Sequence, residues 1–386
     1  MRRAAIIVLD GVGIGPAPDT AAYGDAGSHS LGNVARVSGG LRLPELEALG
    51  LGCCAPLEGI AAVASPLAAT GICVPAGAGK DSTTGHWEIC GLTLERPFTT
   101  YPNGFPSSFV EELSRRTGRP ILGNRAASGT AIVDELAAEQ VRRGALILYT
   151  SADSVCQLAA HEDVVPIGEL YAACEQAREL LGTDVARIIA RPFVGSSGDW
   201  KRTARRRDFS VAPPGPTLLD RLADRHIPRL GVGKVDDLFA GRNITSIHAP
   251  TNGEAYELII SALGTMPRGL LLANVIEFDQ SWGHRNDVPG YLRGLAELDR
   301  AIPRLLKRVL EEDLVIFTAD HGNDPTTPST DHSREVVPLL VYGPRIRPAA
   351  LGTRSTFADI GQTVAEFLGT EPLSSGTSFL ADVWRE

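Results

Sequence analysis

The sequence predicts an α/β protein whose core is a mostly parallel sheet between helices, interrupted by a smaller inserted α/β cap domain. Three observations carry that expectation. Continuous apolar runs recur as strands buried on both faces would, helical patterns lie between them, and the middle of the 386-residue chain holds its own set of both. With 43% hydrophobic and 22% charged residues, a chain of this length has a sizeable core and is not disordered.

Taken in order, Ala4-Ala5-Ile6-Ile7-Val8-Leu9 is the first run and stops at Asp10-Gly11. Residues 269–276, 314–318 and 336–342 repeat the pattern. Thr251-Asn252-Gly253-Glu254 reads as a capping box ahead of a helix through Leu258, Ile259 and Leu263. Pro289 opens another, with Tyr291, Leu295, Leu298 and Ile302 at three- and four-residue spacing, and Pro303 is expected to kink or end it. The inserted segment shows helical patterns at 108–117, 131–143 and 168–181 and strand patterns at 146–150 and 186–193. Its edges fall in the proline-rich stretches 96–106 and 213–216, so residues 1–97 and 216–386 are read as the core and 98–215 as the cap.

The charge balance narrows the function. There are 37 basic against 46 acidic side chains, a formal −9, which argues against a polyanion-binding surface and hence against nucleic acid as a partner. No stretch approaches the roughly 18 apolar residues of a membrane span, and the run after Met1-Arg2-Arg3 ends too soon for a signal-peptide core. A cytoplasmic protein with no membrane partner is expected. Cysteines 53, 54, 73, 90, 156 and 174 have no zinc spacing and are expected to be reduced and mostly buried. Oligomeric state is not indicated.

Ligand-type residues end three of the runs: Asp10 after the first, Asp279 with His284 after the second, and Asp320-His321 after the third. A fourth piece, Thr330-Asp331-His332-Ser333-Arg334-Glu335, precedes the last run. An Asp-Gly after one strand is usually a turn. Three acidic strand ends in one sheet would repel one another unless cations neutralised them, and mixed Asp/His ligation suits Mn²⁺, Zn²⁺ or a similar ion. The remaining piece is the small-residue loop 77–88, which leads into a helix, offers backbone N–H groups to an anion and carries Ser82, Thr83 and Thr84 as candidate nucleophiles. It lacks the Walker spacing.

The order Val8-Leu9-Asp10, Gly79-Lys80-Asp81-Ser82-x-Thr84-Gly85-His86-Trp87-Glu88, Phe278-Asp279-x4-His284-Arg285, Thr318-Ala319-Asp320-His321-Gly322-Asn323-Asp324-Pro325 and Thr330-Asp331-His332 resembles the alkaline phosphatase superfamily. Within it, the likeness is to the phosphopentomutase family, and it includes Tyr149-Thr150-Ser151-Ala152-Asp153-Ser154-Val155 and Ala159-Ala160-His161-Glu162 in the inserted segment. The resemblance implies an alkaline-phosphatase-like core and a two-metal phosphotransferase, usually with Mn²⁺. Its substrates would be small sugar phosphates, ribose 1-phosphate and ribose 5-phosphate and their 2-deoxy equivalents. By the same resemblance Asp279, His284 and His332 would hold one metal, Asp10, Asp320 and His321 the other, and Ser82 would be the nucleophile where Thr is commoner. Glu277, Ser329 and Gln140 also depart from the family pattern.

A mutase further requires that the phosphorylated enzyme deliver its phosphoryl group to a sugar hydroxyl rather than to water, so a cap that excludes water is expected. A sugar bisphosphate, glucose 1,6-bisphosphate or ribose 1,5-bisphosphate, would restore enzyme that had lost its phosphate. Ser151 and Asp153 are candidates for ribose hydroxyls, and Arg191, Arg206 and Lys234 for phosphate. Trp87 and Trp282 are expected to pack rather than to bind. A phosphomonoesterase or phosphodiesterase would use the same metals and nucleophile, and a non-catalytic metal-binding protein would need neither Ser82 nor a cap.

Overall fold

A computed structural model describes residues 2–151 and 154–385. Its first strand, β1 (Arg3–Leu9), is buried at all seven positions and has a parallel neighbour on each side. The other strands of this sheet are β2 (Ala69–Cys73), β3 (Arg229–Val232), β4 (Ser246–Ile247), β5 (Gly269–Val275), β6 (Asp313–Thr318), β7 (Val337–Tyr342) and β8 (Ala350–Arg354). Among the described residues the sheet has eight strands, in the order β4-β3-β5-β1-β6-β7-β2-β8. Ile6 stands opposite Leu272 of β5 and Ile316 of β6, so the three longest apolar runs lie side by side. Only β7 runs against its neighbours, antiparallel to both β6 and β2.

That reversal matters for the site. Parallel strands deliver their carboxyl ends to one edge of the sheet, and a reversed strand delivers the residues that precede it to the same edge. Residues following β1, β2, β5 and β6 therefore converge with those leading into β7. At the opposite edge the buried Arg3 pairs with Asp313, its Nε 2.8 Å from Oδ1, which fastens the start of β1 to the start of β6.

Three helices border the same edge or brace it: α1 (Ser82–Ile89), α2 (Asn252–Thr265) and α3 (Val288–Leu306). Thr251 caps α2, its side chain accepting from the Glu254 N–H. Asp287 caps α3, with Pro289 in the first turn. Pro303 does not end α3, which runs three residues further to Leu306. Leu295, Leu298, Ile302 and Leu305 are all buried, and that continuous apolar face outweighs the one backbone hydrogen bond proline forfeits.

The chain divides into two compact units, Met1–Pro97 with Gly215–Glu386, and Phe98–Pro214. The second unit has its own sheet, in the order Ile121–Ala126, Leu146–Thr150, Val155–His161, Arg187–Ser196 and Asp199–Arg202, with Arg207–Ser210 also pairing Arg187–Ser196. Alternation along Leu146–Thr150 serves both faces. Leu146 and Leu148 pack with Phe109, Leu113 and Leu170, while Ile147 and Tyr149 pack with Ile132, Val133 and Ala137. All six cysteines are free, four of them buried and Cys53 exposed. No helix among the described residues is long and apolar enough to cross a membrane.

Candidate active site

The six residues read as metal ligands gather at the edge of the sheet where the strand ends converge. Asp10 follows β1, Asp320 and His321 follow β6, Asp279 and His284 lie in the turns after β5, and His332 lies five residues before β7 begins at Val337. Asp10, Asp320 and His321 bring one donor atom each within 4.8 Å of one another, and so do Asp279, His321 and His332. His321 thus belongs to both groups. His284 joins through Asp279, its Nε2 3.2 Å from Oδ2, with its Nδ1 2.6 Å from the Thr330 carbonyl oxygen.

Three carboxylates buried this close set the electrostatics. Burial raises the Asp10 carboxyl above its usual range, and Asp320 and Asp279 raise it further. Burial works the same way on Asp279, but His332 and His284 more than offset it and hold it well below that range. Burial would lower the His321 imidazole, yet Asp320, Asp10 and Asp279 raise it well above. Asp320 Oδ2 is buried and receives no well-directed hydrogen bond among the described residues. Hard carboxylate oxygens, imidazole nitrogens and an oxygen with open lone pairs are a donor set that fits divalent cations.

A surrounding layer fixes these ligands. Asn274 Nδ2 donates to Asp10 Oδ2 at 2.9 Å, the Gly11 N–H to Asp320 Oδ1 at 3.2 Å, and Asn323 Nδ2 to Asp279 Oδ1 at 2.7 Å. His321 Nδ1 lies 3.0 Å from the Gly322 carbonyl oxygen, so Nδ1 carries the proton there and Nε2 is the atom turned to the carboxylates. Glu335 fills a slot between glycines. A Cβ at Gly13 or at Gly322 would stand 2.3 Å from its carboxylate oxygens. Burial pushes this carboxyl up to about 7 despite hydrogen bonds from Ser333 and Ser30.

Ser82 is the first residue of α1, directly after Asp81, whose carboxylate accepts the N–H groups of Thr83 and Thr84. Its Oγ lies 3.2 Å from Asp10 Oδ1 and 3.1 Å from His321 Nε2. The Thr84 hydroxyl is committed to Asp81, 3.0 Å from Oδ2. The preceding loop is gripped from two sides. Glu88 accepts the N–H groups of Ala76 and Gly77, while the buried Arg334 guanidinium donates to the carbonyls of Pro75, Gly77 and Gly79 and pairs with Asp19. Lys80 Nζ bridges Asp25 at 2.9 Å and Asp331 at 3.4 Å. Gly85 lets α1 approach the Asp320 backbone, since a Cβ there would lie 2.3 Å from the Asp320 carbonyl oxygen.

Glu88, His86, Arg334, Glu335, Asn274 and Asn323 have no assigned role in the sequence reading. Several stand inside or beside the motifs, and that proximity is the one signal that could have found them. Of the other singled-out residues, Lys234 contacts Gln280 in the core unit. Within the inserted unit, Ser151 is half-buried directly after the strand Leu146–Thr150, and Asp153 lies outside the described residues. Arg206 holds Asp208 with two contacts of 2.7 Å, and Arg191 Nε donates to Gln157 at 3.0 Å. Burial, then the neighbouring charges of Arg206 and Arg202, bring the Arg191 guanidinium down to about 10. Gln140 is buried and ties the Ala145 carbonyl to the His161 N–H, Glu277 accepts the Asn252 N–H, and the Ser329 hydroxyl accepts the Asp331 N–H. Trp87 is buried with its Nε1 on the Leu238 carbonyl, and the Trp282 ring packs at 5.3 Å from Phe278.

A family model described as the Metalloenzyme superfamily matches residues 2–372. A Dictyoglomus turgidum protein named phosphopentomutase is 52% identical, over 99% of this chain and 98% of its own length. The chain belongs to the phosphopentomutase family. A second relative of that name, from Anaeromyxobacter sp. strain K, is 51% identical over 100% of both chains. Because these alignments run through Phe98–Pro214, the inserted unit is part of the phosphopentomutase pattern. A solved Pyrococcus horikoshii protein has a similar fold, with a TM-score of 0.50 and 16% identity over 97% of this chain and 99% of that one.

Proposed function

We propose that the chain interconverts ribose 1-phosphate and ribose 5-phosphate, and the 2-deoxy equivalents, by passing a phosphoryl group through Ser82 beside two divalent cations, Mn²⁺ by preference. The observation that carries this reading is the Ser82 hydroxyl, 3.2 Å from Asp10 and 3.1 Å from His321 at the head of α1. Asp279, His284 and His332 are assigned to one cation and Asp10, Asp320 and His321 to the other. Bound divalent cations supply a lowered hydroxyl pKa and charge compensation for a phosphoryl group in transfer.

The chain's own residues do the rest. Phosphoserine at position 82 gives its phosphoryl group to the free hydroxyl of a sugar monophosphate. One P–O bond forms as one breaks, and the acceptor's proton ends on the Ser82 oxygen. The resulting sugar bisphosphate returns its other phosphoryl group to Ser82 by the reverse exchange. The positive dipole end of α1 favours the phosphoserine, although Asp81 already takes the Thr83 and Thr84 N–H groups. The inserted unit, 98–215 as read from the sequence, is assigned as the substrate-binding cap. In it Ser151 and Asp153 are assigned to sugar hydroxyls and Arg191 and Arg206 to phosphate; Lys234, a residue of the core unit, is also assigned to phosphate. The like charges around Arg191 support an anion there. A trace of glucose 1,6-bisphosphate or ribose 1,5-bisphosphate primes enzyme that has lost its phosphate to water, and the work is placed in the cytoplasm.

The test is to give purified protein ribose 5-phosphate with Mn²⁺ and measure ribose 1-phosphate and inorganic phosphate together. Isomerisation stimulated by catalytic bisphosphate, with phosphate found by mass analysis on Ser82 in peptide 80–88, is expected. Inorganic phosphate released as fast as isomerisation, with no bisphosphate response, would replace this reading with a phosphomonoesterase.

A further inference from the structure

His86 lies one turn beyond Ser82 on α1 and is fully buried, and the phosphoryl exchange through Ser82 gives it nothing to do. Its Nδ1 stands 2.8 Å from the Ser82 carbonyl oxygen and 3.1 Å from Asp320 Oδ2. Both neighbours are acceptors, so Nδ1 must carry a proton. Nε2, on the far side of the ring, is buried without a hydrogen-bond partner among the described residues. The ring is therefore held by what Nδ1 does.

Asp320 needs such a contact. Its Oδ1 takes the Gly11 N–H at 3.2 Å, and a carboxylate fixed through one oxygen can still swing about its last torsion, which is intrinsically soft for Asp. A second contact at Oδ2 removes that freedom. We propose that His86 is a positioning residue for the cation assigned to Asp10, Asp320 and His321. Its Nδ1–H is held by the Ser82 carbonyl and stands 3.1 Å from Asp320 Oδ2, a polar contact off the hydrogen-bonding direction that restrains the carboxylate in its ligating orientation while leaving lone pairs for a cation, and that ties it to the turn carrying the nucleophile. Outer partners of this kind typically govern metal affinity by 10–100-fold. The inference rests on the two-cation reading of the site.

Two replacements separate this polar contact from simple packing. Asn and Leu branch at the same atom and are nearly the same size, so His86→Asn and His86→Leu leave the same void, but only Asn can place an N–H near the former Nδ1. The full metal-free chain is titrated with Mn²⁺ by calorimetry, and its unfolding is followed in parallel. Expected for His86→Leu is a folded protein with one of two sites weakened about 10–100-fold and the other unchanged. His86→Asn should recover most of that loss. Wild-type affinity at both sites in His86→Leu, or equal weakening in the two variants, would overturn the proposal. Should His86→Leu fail to fold, a folded His86→Asn that loses tenfold or more at one site would do the same. Wild-type chain that took up no divalent cation would instead overturn the two-cation reading itself.

Discussion

Replacing Gly85 by alanine should cost about 100-fold in kcat while leaving the protein folded. The added Cβ would meet the Asp320 carbonyl oxygen at 2.3 Å and the Asp320 Cβ at 2.8 Å, where ordinary contact begins near 3.4 Å. Neither atom is the end of a flexible side chain, so α1 and the turn after β6 must part by about 1 Å. Ser82 sits in the preceding turn of that helix, and its 3.2 Å and 3.1 Å contacts to Asp10 and His321 widen with it. A displacement of that size at a reacting group is worth on the order of 10²-fold in rate, or about 2.7 kcal/mol of barrier. Stability should move less. Alanine recovers about 0.8–1 kcal/mol of helix propensity, which partly offsets an overpacking cost of about 1–3 kcal/mol. The assay pairs kcat for ribose 5-phosphate conversion with urea unfolding of the same preparation. Near-wild-type kcat in folded Gly85→Ala protein, or inactivity that follows unfolding alone, would refute the reasoning.

Asp320→Asn removes one of three buried carboxylates, and turnover should fall to near zero with one cation site weakened, as read by calorimetric titration with Mn²⁺. Without metal the His321 imidazole is raised well above its usual value, so at neutral pH it is protonated and a cation must displace that proton. Affinity should therefore rise with pH from 6 to 8, with about one proton released per chain at His321. Calorimetry in buffers of different ionisation enthalpy checks this, and pH-independent binding would contradict it. Arg334→Lys cannot reproduce a fork that serves three loop carbonyls and Asp19 at once. It should lose about 2–4 kcal/mol in urea unfolding and lower kcat, with Mn²⁺ affinity unchanged.

What could be read beforehand was whatever a strand end makes local. Asp10, Asp279 and Asp320 announce themselves because an apolar run ends at or within three residues of each, and the direction of β1, β5 and β6 then brings them together. His332 is subtler. Its approach depends on β7 running backwards, which the run at 336–342 does not encode. β2 was not legible at all, since Ala69-Thr70-Gly71-Ile72-Cys73 has little strand character and owes its form to β7 and β8 on either side. The sharing of His321 between two ligand groups was hidden for the same reason, because a motif assigns a residue once while geometry lets one nitrogen face both. Asn274, Asn323, His86 and Glu88 were visible as letters, but their roles turn on which atom points where after packing. Pro303 shows the opposite error, a strong local signal overruled by an apolar helix face.

The order of strands around β1 has a consequence for how the chain is made. β1 leaves the ribosome well before its two partners, which begin at Gly269 and Asp313. At about 5–20 residues per second, synthesis keeps Ile6-Ile7-Val8-Leu9 waiting for tens of seconds with no edge to join. Residues 98–214 emerge in that interval, and among the described residues their sheet draws only on strands from within them. That unit is free to condense early, whereas the core sheet closes late and across long loops. A nascent chain of this protein therefore depends on whatever shields β1 until its partners arrive. Substitutions that weaken β5 or β6 should appear in the cell first as insoluble protein, and only in the fraction that escapes as lost turnover.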